Sequence, residues 1–229
     1  MHSVKKTALI ALMAFMGFSV TASAAEPTEA SAAQTVVDDA VSTLQNFGSD
    51  AKQSWFRQNV SKARAVFIIP HLNKGGFIFG GSGGRGLVLV RNAETGDWSH
   101  PAFYTVGSAS FGLLLGAQKS EVIYLVMSDA GMTALMATKF QVGADGSIAA
   151  GPTGVGAQAA TMDMLSFSRS EGIYGGISAE GTVIQPDFKR NDAYYGQSVS
   201  ISQILLTNAV QNVDAGQLVA QVTVTAAPK

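Results

Sequence analysis

The chain contains no cysteine among its 229 residues. Without cysteine, no disulfide can stabilise the fold, no thiolate can bind a metal or act as a nucleophile, and no lipid anchor can be attached through a lipobox cysteine. Charged residues are also scarce, at 14% of the chain, whereas 47% of the residues are apolar. This composition is typical of one globular domain with a sizeable core and excludes an intrinsically disordered chain.

Histidine is scarce as well, because only His71 and His100 follow the first 24 residues. They are distant in sequence and lack the spacing of metal-binding or metalloprotease motifs. Each is adjacent to a proline, which favours a loop or surface position. The acidic residues show no pairing suited to general acid–base work. We therefore expect no catalytic residue, no metal site and no cofactor.

The N-terminus has the pattern of a secretory signal peptide. Lys5 and Lys6 precede an apolar run at 8–20, and Ala22-Ser23-Ala24 forms an A-x-A cleavage site. The apolar run is short for a membrane span. We predict a signal peptide at 1–24 with cleavage after Ala24, a flexible lead-in at 25–34 and one domain at 35–229. The protein would then be periplasmic or secreted.

Positive charge is concentrated in one part of the chain. Cleavage would remove two of the fifteen basic residues and leave thirteen against sixteen acidic ones. This balance argues against a general nucleic-acid-binding protein. Seven of those thirteen nevertheless lie in a stretch, 51–93, that contains no acid, and we call them the basic zone: Lys52, Arg57, Lys62, Arg64, Lys74, Arg85 and Arg91.

The basic zone coincides with the most apolar part of the chain. Residues 65–91 hold three short apolar runs, at 65–69, 77–79 and 87–90, separated by a proline and many glycines. Such runs predict strands, and their near-continuous apolar character indicates that both faces of the sheet are covered. The glycines predict sharp turns or close approach of another backbone.

Helical and strand patterns continue on both sides of this stretch. Steps of three and four between apolar residues predict a helix from Thr35 to about Phe47, and Ser49 would cap a second helix that ends near Ala63. Downstream we predict a strand at 121–128 followed by a short helix capped by Asp129. We also predict hairpins at 139–150 and 164–178, a strand at 182–184 and helices at 188–195, 200–208 and 214–222. The predicted fold is a single α+β domain. An N-terminal helical hairpin packs on a glycine-rich, mostly antiparallel or barrel-like sheet with short peripheral helices.

The glycine-rich segment matches two functional motifs in its residue types but not in its predicted secondary structure. Residues 81–86 (GSGGRG) fit the dinucleotide-binding pattern, and residues 80–84 (GGSGG) fit the nucleophile elbow around Ser82. Both motifs require a helix directly after the loop. The sequence after residue 86 (LVLVR) predicts a strand instead. A serine hydrolase is therefore only the third hypothesis for the function of this chain.

The basic zone has two possible interpretations. It is either a solvated face or a surface for anionic lipid headgroups, for which each basic side chain contributes about 1 kcal/mol. The candidate cations are Lys52, Arg57, Lys62, Arg64, Lys74 and Arg85. Trp55 and Phe56 are candidates for insertion at the membrane interface, and equally for packing a helix on the sheet.

Several separate motifs resemble the SYLF domain, also known as a lipid-binding domain of yeast actin-patch proteins. The resemblance spans about residues 50–210. It is carried by these segments, which occur in the family's order: 62–91 (KARAVFIIPHLNKGGFIFGGSGGRGLVLVR), 97–99 (DWS) with Pro101, 111–112 (FG) with 116–117 (GA), 121–128 (EVIYLVMS), 150–152 (AGP), 166–172 (SFSRSEG), 175–181 (GGISAEG) and 194–196 (YYG).

The resemblance implies a non-enzymatic α+β domain. Eukaryotic SYLF proteins bind phosphoinositides and other acidic lipids through an N-terminal basic part, which corresponds here to about 49–74, with Lys52, Lys62, Arg64 and Lys74 as candidates. Yeast members also bind actin, but a periplasm contains no actin, so actin is not the expected partner here. The expected partner is therefore an anionic phospholipid surface. The alternative is an envelope structural or protein-interaction module.

Overall fold

The computed structural model describes residues 27–76, 79–111, 116–142, 145, 147–150, 162–170, 173–175 and 182–228. The predicted signal peptide and its cleavage site lie outside these residues. Six α-helices and nine strands lie within them. The helices are α1 Glu29–Ser49, α2 Ser54–Val60, α3 Asp129–Met136, α4 Phe188–Tyr195, α5 Ile201–Leu205 and α6 Gly216–Thr225. The strands are β1 Ala65–Gly76, β2 Phe79–Val90, β3 Ala102–Phe111, β4 Gly116–Val126, β5 Phe140–Gln141, β6 Ile148–Ala150, β7 Met164–Ser170, β8 Ile173–Gly175 and β9 Val183–Pro186.

Helix α1 begins earlier than the apolar pattern predicts. Thr28 is its N-cap, and the Thr28 hydroxyl accepts a hydrogen bond from the backbone N–H of Ser31 at 3.1 Å. Glu29 lies in the first turn, where the helix dipole favours an acid. Part of the segment predicted as a flexible lead-in, 25–34, is therefore helical. The small polar residues that suggested mobility form the first turns of a capped helix.

The second predicted helix, α2, is shorter than expected and is only one of several helices that contact α1. A 3₁₀ turn at Ala51–Gln53 precedes α2, and the Ser49 hydroxyl donates to the carbonyl of Gln45 at 2.7 Å instead of capping α2. The rings of Phe47 and Phe56 pack 5.6 Å apart and join α2 to the end of α1. The main helical neighbours of α1 are α4 and α6, from the far end of the chain.

The glycine-rich segment forms long strands, which corrects the prediction of three short ones. β1 and β2 pair antiparallel along most of their length. Of the predicted strand at 77–79, residues 77–78 lie outside the described ranges, and Phe79 begins β2. The register of β1 shifts between Ile68 and His71, which is the signature of a β-bulge. A Cβ at Gly86 would lie 2.5 Å from the carbonyl oxygen of Ile68. Glycine is needed there because the two backbones approach closely.

The strands form one sheet that curls into a half-barrel, in the order β5-β9-β3-β2-β1-β4-β7-β6, with β8 paired to β7. All pairs are antiparallel except β6 with β7. The predicted hairpin at 164–178 is confirmed as the β7–β8 pair in its described part. The predicted hairpin at 139–150 is wrong, because β5 pairs with β9 and β6 pairs with β7. The sheet and its packed helices confirm the α+β prediction.

Both faces of the sheet are buried, as the apolar runs predict. One face carries Val66, Ile68, Leu87, Leu89, Ile123 and Leu125 and packs against apolar residues of α1, α2 and α6. The other face carries Phe67, Ile69, Val88, Val90, Val122 and Tyr124 and packs against residues of α3 and α5. Alternation along each strand sends successive side chains to opposite cores. Of the helices in the described ranges, none has the length and apolar character to cross a membrane.

Candidate functional site

A cleft of about 950 Å³ lies where β1 begins and β2 and β4 end. Antiparallel pairing places these three strand ends together, because Ala65 faces both Val90 and Val126. We call it the terminal cleft. Its charged lining residues are Lys62, Arg64, Arg91, Glu94 and Asp129, and its apolar ones include Val90, Met132, Leu205 and Leu206. The cleft therefore combines three cations of the basic zone with an apolar wall.

The backbone around Arg64 is fixed from both sides. Its N–H donates to the carbonyl of Val126 at 2.9 Å, and its carbonyl accepts from the N–H of Arg91 at 2.7 Å. Arg64 thus lies between β2 and β4, directly before β1. Lys62, two residues earlier in the turn after α2, is exposed. The strand pairing consequently holds Arg64 at the rim of the cleft, and the turn after α2 places Lys62 beside it.

Arg91 has a mainly structural role in the cleft. Its Nη1 donates to the carbonyl of Ser61 at 2.8 Å, and its Nε donates to the carbonyl of Gly96 at 3.1 Å. These bonds tie the turn after β2 to the turn after α2. Gly96 has a φ of +80°, a conformation that glycine adopts without strain. The guanidinium adds positive charge to the cleft while its hydrogen bonds keep it in place.

Arg64 forms an ion pair with Asp129 across the cleft. Asp129 lies in the first turn of α3, whose N-cap is Ser128. Both side chains of the pair are substantially exposed, at 48% for Arg64 and 83% for Asp129. An exposed pair of this kind is weak, so the Arg64 guanidinium is available to an external anion that competes with Asp129.

The apolar wall comes from α3 and α5. Leu206 directly follows α5 and is 54% exposed, which is unusual for a large apolar side chain. Helix α5 is fixed by a capping box, in which Ser200 and Gln203 exchange hydrogen bonds between side chain and backbone. Met132, on α3, is partly buried against the core. Leu206 therefore projects from a rigid support next to the cations.

Two other residues of the basic zone lie away from the terminal cleft. Arg57 donates to the backbone carbonyls of Asp50 and Ala51 and lines a smaller cleft of about 360 Å³ beside α1 and α6. Lys52 belongs to the 3₁₀ turn, and its side chain is outside the described part of the structure. Arg57 thus supports the end of α1.

Lys74 and Arg85 lie further along the sheet. Lys74 is half-buried on β1, and its burial lowers the pKa of the ammonium group. Arg85 is exposed on β2 and lines a second groove between α1 and the sheet. The basic zone is therefore contiguous in sequence but divided among several places on the folded molecule. Of the basic-zone side chains that the structure describes, Lys62, Arg64 and Arg91 share the terminal cleft.

The two candidate aromatic residues pack on the sheet. Phe56 is fully buried, with its ring 5.3 Å from that of Phe167. It is a core residue, which corrects its candidacy as a membrane contact. Trp55 is partly buried, and its ring lies 5.1 Å from the ring of Phe167. The apolar face of α2 packs into the core. The basic residues next to it in the sequence do not indicate this burial.

Ser82 lacks the geometry of a nucleophile elbow. It lies within β2, which continues to Val90 without a helix. Its hydroxyl is 2.6 Å from the hydroxyl of Ser108 on β3. His71 interacts with Asp39 at 3.0 Å, and His100 accepts from the backbone N–H of Asn212 at 3.2 Å. In the ranges that the structure covers, no three His, Asp or Glu side chains cluster as metal ligands.

The apolar half of the terminal cleft could not be found from the sequence. Met132, Leu205 and Leu206 lie about 70–140 residues from Lys62, and no motif marks them. Asp129 looked like a helix cap, whereas the cap is Ser128. These residues reach the cations only because the sheet brings the end of β4 beside the start of β1.

Comparison with known proteins identifies the same family as the motifs do. The family described as "Ysc84: Las17-binding protein actin regulator" matches residues 107–224, just over half of the chain. No solved structure matches the chain.

Curated relatives are similar over about two thirds of the chain. Protein YSC84 of Saccharomyces cerevisiae is 27% identical over 154 residues, which cover 64% of this chain and 32% of that protein. The SH3 domain-containing protein PJ696.02 of Schizosaccharomyces pombe is 28% identical over 167 residues, covering 69% of this chain and 38% of that protein. The human SH3 domain-containing YSC84-like protein 1 is 23% identical over 165 residues, covering 69% and 48%. The matches thus span about a third to a half of the length of these relatives. The chain belongs to the Ysc84 family, whose shared domain is also called the SYLF domain.

Proposed function

We propose that this chain binds anionic phospholipid at a membrane surface, without catalysing a reaction, and that the terminal cleft makes the contact. The observation that carries the proposal is the meeting of Lys62, Arg64 and Arg91 with the exposed side chain of Leu206 in one cleft. Cations bind lipid phosphate, and an exposed apolar side chain beside them can enter the interface. The resemblance to lipid-binding SYLF domains agrees with this chemistry.

The two rim cations have different states before binding. Lys62 is exposed and ready to meet a phosphate, whereas Arg64 must exchange Asp129 for the phosphate. Arg91 keeps its hydrogen bonds to Ser61 and Gly96 and contributes through the field of its charge. Two direct cations at about 1 kcal/mol each give weak binding by one domain. Leu206 adds apolar contact, which salt does not screen.

The proposed location follows from the N-terminus. Residues 1–24 have the pattern of a cleaved signal peptide, so the folded domain would meet a membrane from outside the cytoplasm. The headgroups available there would be anionic phospholipids such as phosphatidylglycerol or cardiolipin. These carry the phosphate chemistry that Lys62 and Arg64 require.

Vesicle co-sedimentation tests the proposal. Residues 25–229 would be mixed with neutral phosphatidylcholine vesicles, and with vesicles that also contain phosphatidylglycerol or cardiolipin, at low and high salt. We expect the protein to pellet with the acidic vesicles at low salt and to be released as salt rises, because exposed charges are screened within about 8–10 Å at physiological ionic strength. Equal pelleting with neutral vesicles would contradict the proposal.

Charge reversal locates the contact. The double variant Lys62→Glu/Arg64→Glu should lose most of its binding to acidic vesicles. The matched control is Lys119→Glu/Lys139→Glu, which makes the same change in charge at two exposed lysines that do not line the terminal cleft. If the double variant binds as well as the control, the terminal cleft is not the membrane contact.

A second candidate is a protein-interaction module of the cell envelope. It is favoured by the family's description as Las17-binding and by the name of a yeast relative, LAS seventeen-binding protein 3. A pull-down from lipid-free envelope extract would recover a partner if this candidate is right. If the protein pellets with none of the vesicles and the pull-down recovers a specific partner, the protein-interaction proposal would replace the lipid proposal.

A further inference from the structure

A second groove, of about 740 Å³, separates the first half of α1 from the sheet. We call it the α1 groove. It forms beyond the β-bulge of β1, where the sheet surface under α1 changes from apolar core residues to smaller and polar ones. Its apolar lining includes Ala32 and Val36 of α1 and Pro70 of β1. Its volume is in the range of sites that hold small organic ligands.

Arg85 supplies an unpaired positive charge to this groove. Arg85 is exposed on β2, opposite His71 of β1 and Thr105 of β3. Within the residues that the structure covers, its guanidinium has no hydrogen bond or ion pair. The nearby carboxylate of Asp39 is engaged by His71, whose Nε2 lies 3.0 Å from Asp39 Oδ2. An anion that enters the groove therefore meets a guanidinium whose donors are all available.

Gly83 keeps the groove open. It lines the groove beside Arg85 and is exposed. A Cβ placed there would meet only the carbonyl oxygen of Val106, at an ordinary contact distance of 3.9 Å. Packing therefore does not require glycine at this position, in contrast to Gly86. The missing side chain leaves space next to the cation.

We propose that the α1 groove binds a single-chain amphiphile whose anionic head, a carboxylate or a phosphate, pairs with Arg85. Its alkyl chain would lie against Ala32, Val36 and Pro70. One unpaired cation matches one anionic group, and the mixed lining matches a molecule with a charged end and an apolar body. The site is separate from the terminal cleft, so it does not depend on the membrane-binding proposal.

Calorimetric titration with three twelve-carbon probes tests the site. The probes are dodecanoate, dodecyl phosphate and dodecanol, each below the concentration at which it self-associates and added to residues 25–229. We expect at least one of the two anions to bind with a stoichiometry near one, and the alcohol to bind much more weakly. A preference between the anions distinguishes a fatty acid from a single-chain phospholipid as the natural source. Equal binding of all three would overturn the role of Arg85.

Two variants place the ligand in the groove. Arg85→Gln should weaken binding of the preferred anion by about tenfold or more, because a charge-assisted hydrogen bond is lost. Gly83→Val should fill the groove and abolish binding without harm to the fold, since valine is favoured in strands and its Cβ would make only an ordinary contact of 3.9 Å with the carbonyl oxygen of Val106. The matched control is Gly75→Val on β1, where a Cβ has nothing within 4 Å and which does not line the groove.

The outcomes separate this proposal from the membrane proposal. If Gly83→Val binds the anion like the wild type while its thermal unfolding is unchanged, the α1 groove is not the site. If Gly75→Val loses binding as much as Gly83→Val, the effect is not local to the groove, and the proposal also fails. Vesicle pelleting through Lys62 and Arg64 should survive Gly83→Val, so either proposal can fail without the other.

Discussion

At the scale of single residues, the same type of side chain has different roles according to what the fold places beside it. Arg57 and Arg91 donate to backbone carbonyls and hold turns together. Arg64 is in an exposed ion pair, and Arg85 has no partner in the described part of the chain. The sequence places all four in the basic zone and predicts Arg57, Arg64 and Arg85 as cations of one surface. Their availability to an anion is decided by the carbonyl groups and carboxylates that tertiary folding brings to them.

Asp129 should weaken membrane binding, because it competes with lipid phosphate for Arg64. The variant Asp129→Asn removes the competing charge and frees the guanidinium, which we expect to strengthen binding by about 1 kcal/mol, or about fivefold. Titration with phosphatidylglycerol vesicles at low salt measures the change. Asp38→Asn, the same charge change on the exposed side of α1, is the control. Equal affinity of the two variants would show that Asp129 does not restrain Arg64.

At the scale of elements, apolar runs predicted the sheet, but glycine was a misleading marker of its strand ends. Local rules associate clustered glycines with turns, whereas β1 and β2 carry glycines within paired strands. Some of these glycines are required by the close approach of a neighbouring strand, and others are not. The sequence cannot separate the two kinds, because the difference depends on the bulge in β1 at Ile68 to His71.

Gly86→Ala should destabilise the protein, and Gly75→Ala should not. A Cβ at Gly86 would lie 2.5 Å from the carbonyl oxygen of Ile68 and 2.7 Å from Cε2 of Phe67, so the sheet must shift. We expect the free energy of unfolding to fall by about 2–3 kcal/mol. At Gly75 a Cβ meets nothing within 4 Å, and lower entropy of the unfolded chain predicts no loss. Urea denaturation measures both changes, and similar losses at the two positions would contradict this explanation.

At the scale of the whole molecule, the curled sheet separates two cores, and tyrosine side chains lie in or against both of them. Burial raises the pKa of Tyr124 to about 12 and raises the pKa of Tyr104 further. Burial likewise raises the pKa of Tyr194 and Tyr195 well above 10. The folded protein therefore resists the ionisation that an unfolded chain undergoes near pH 10.

The difference between the tyrosine pKa values of the folded and unfolded states predicts cooperative unfolding at alkaline pH. A pKa that is higher in the folded state gives stability that is complete below about pH 10, the unfolded value, and is lost as the pH rises through the folded value. Tyrosinate absorbance from these four residues should consequently appear together with the loss of far-ultraviolet circular dichroism, above about pH 10. If these tyrosines titrate near pH 10 while the circular dichroism stays native, they are not buried as described.

The sequence by itself determined the class of the fold, the buried sheet and the family, because apolar periodicity and ordered motifs are written in contiguous residues. It also identified Lys62 and Arg64 as candidates. Only the tertiary structure decided that Phe56 is core, that β5 and β6 pair with β9 and β7, and that α1 packs on α4 and α6. Likewise only the fold divided the basic zone and joined two of its rim cations to Leu206. Sites of this kind depend on contacts between distant segments, which sheet register and packing set and no local pattern records.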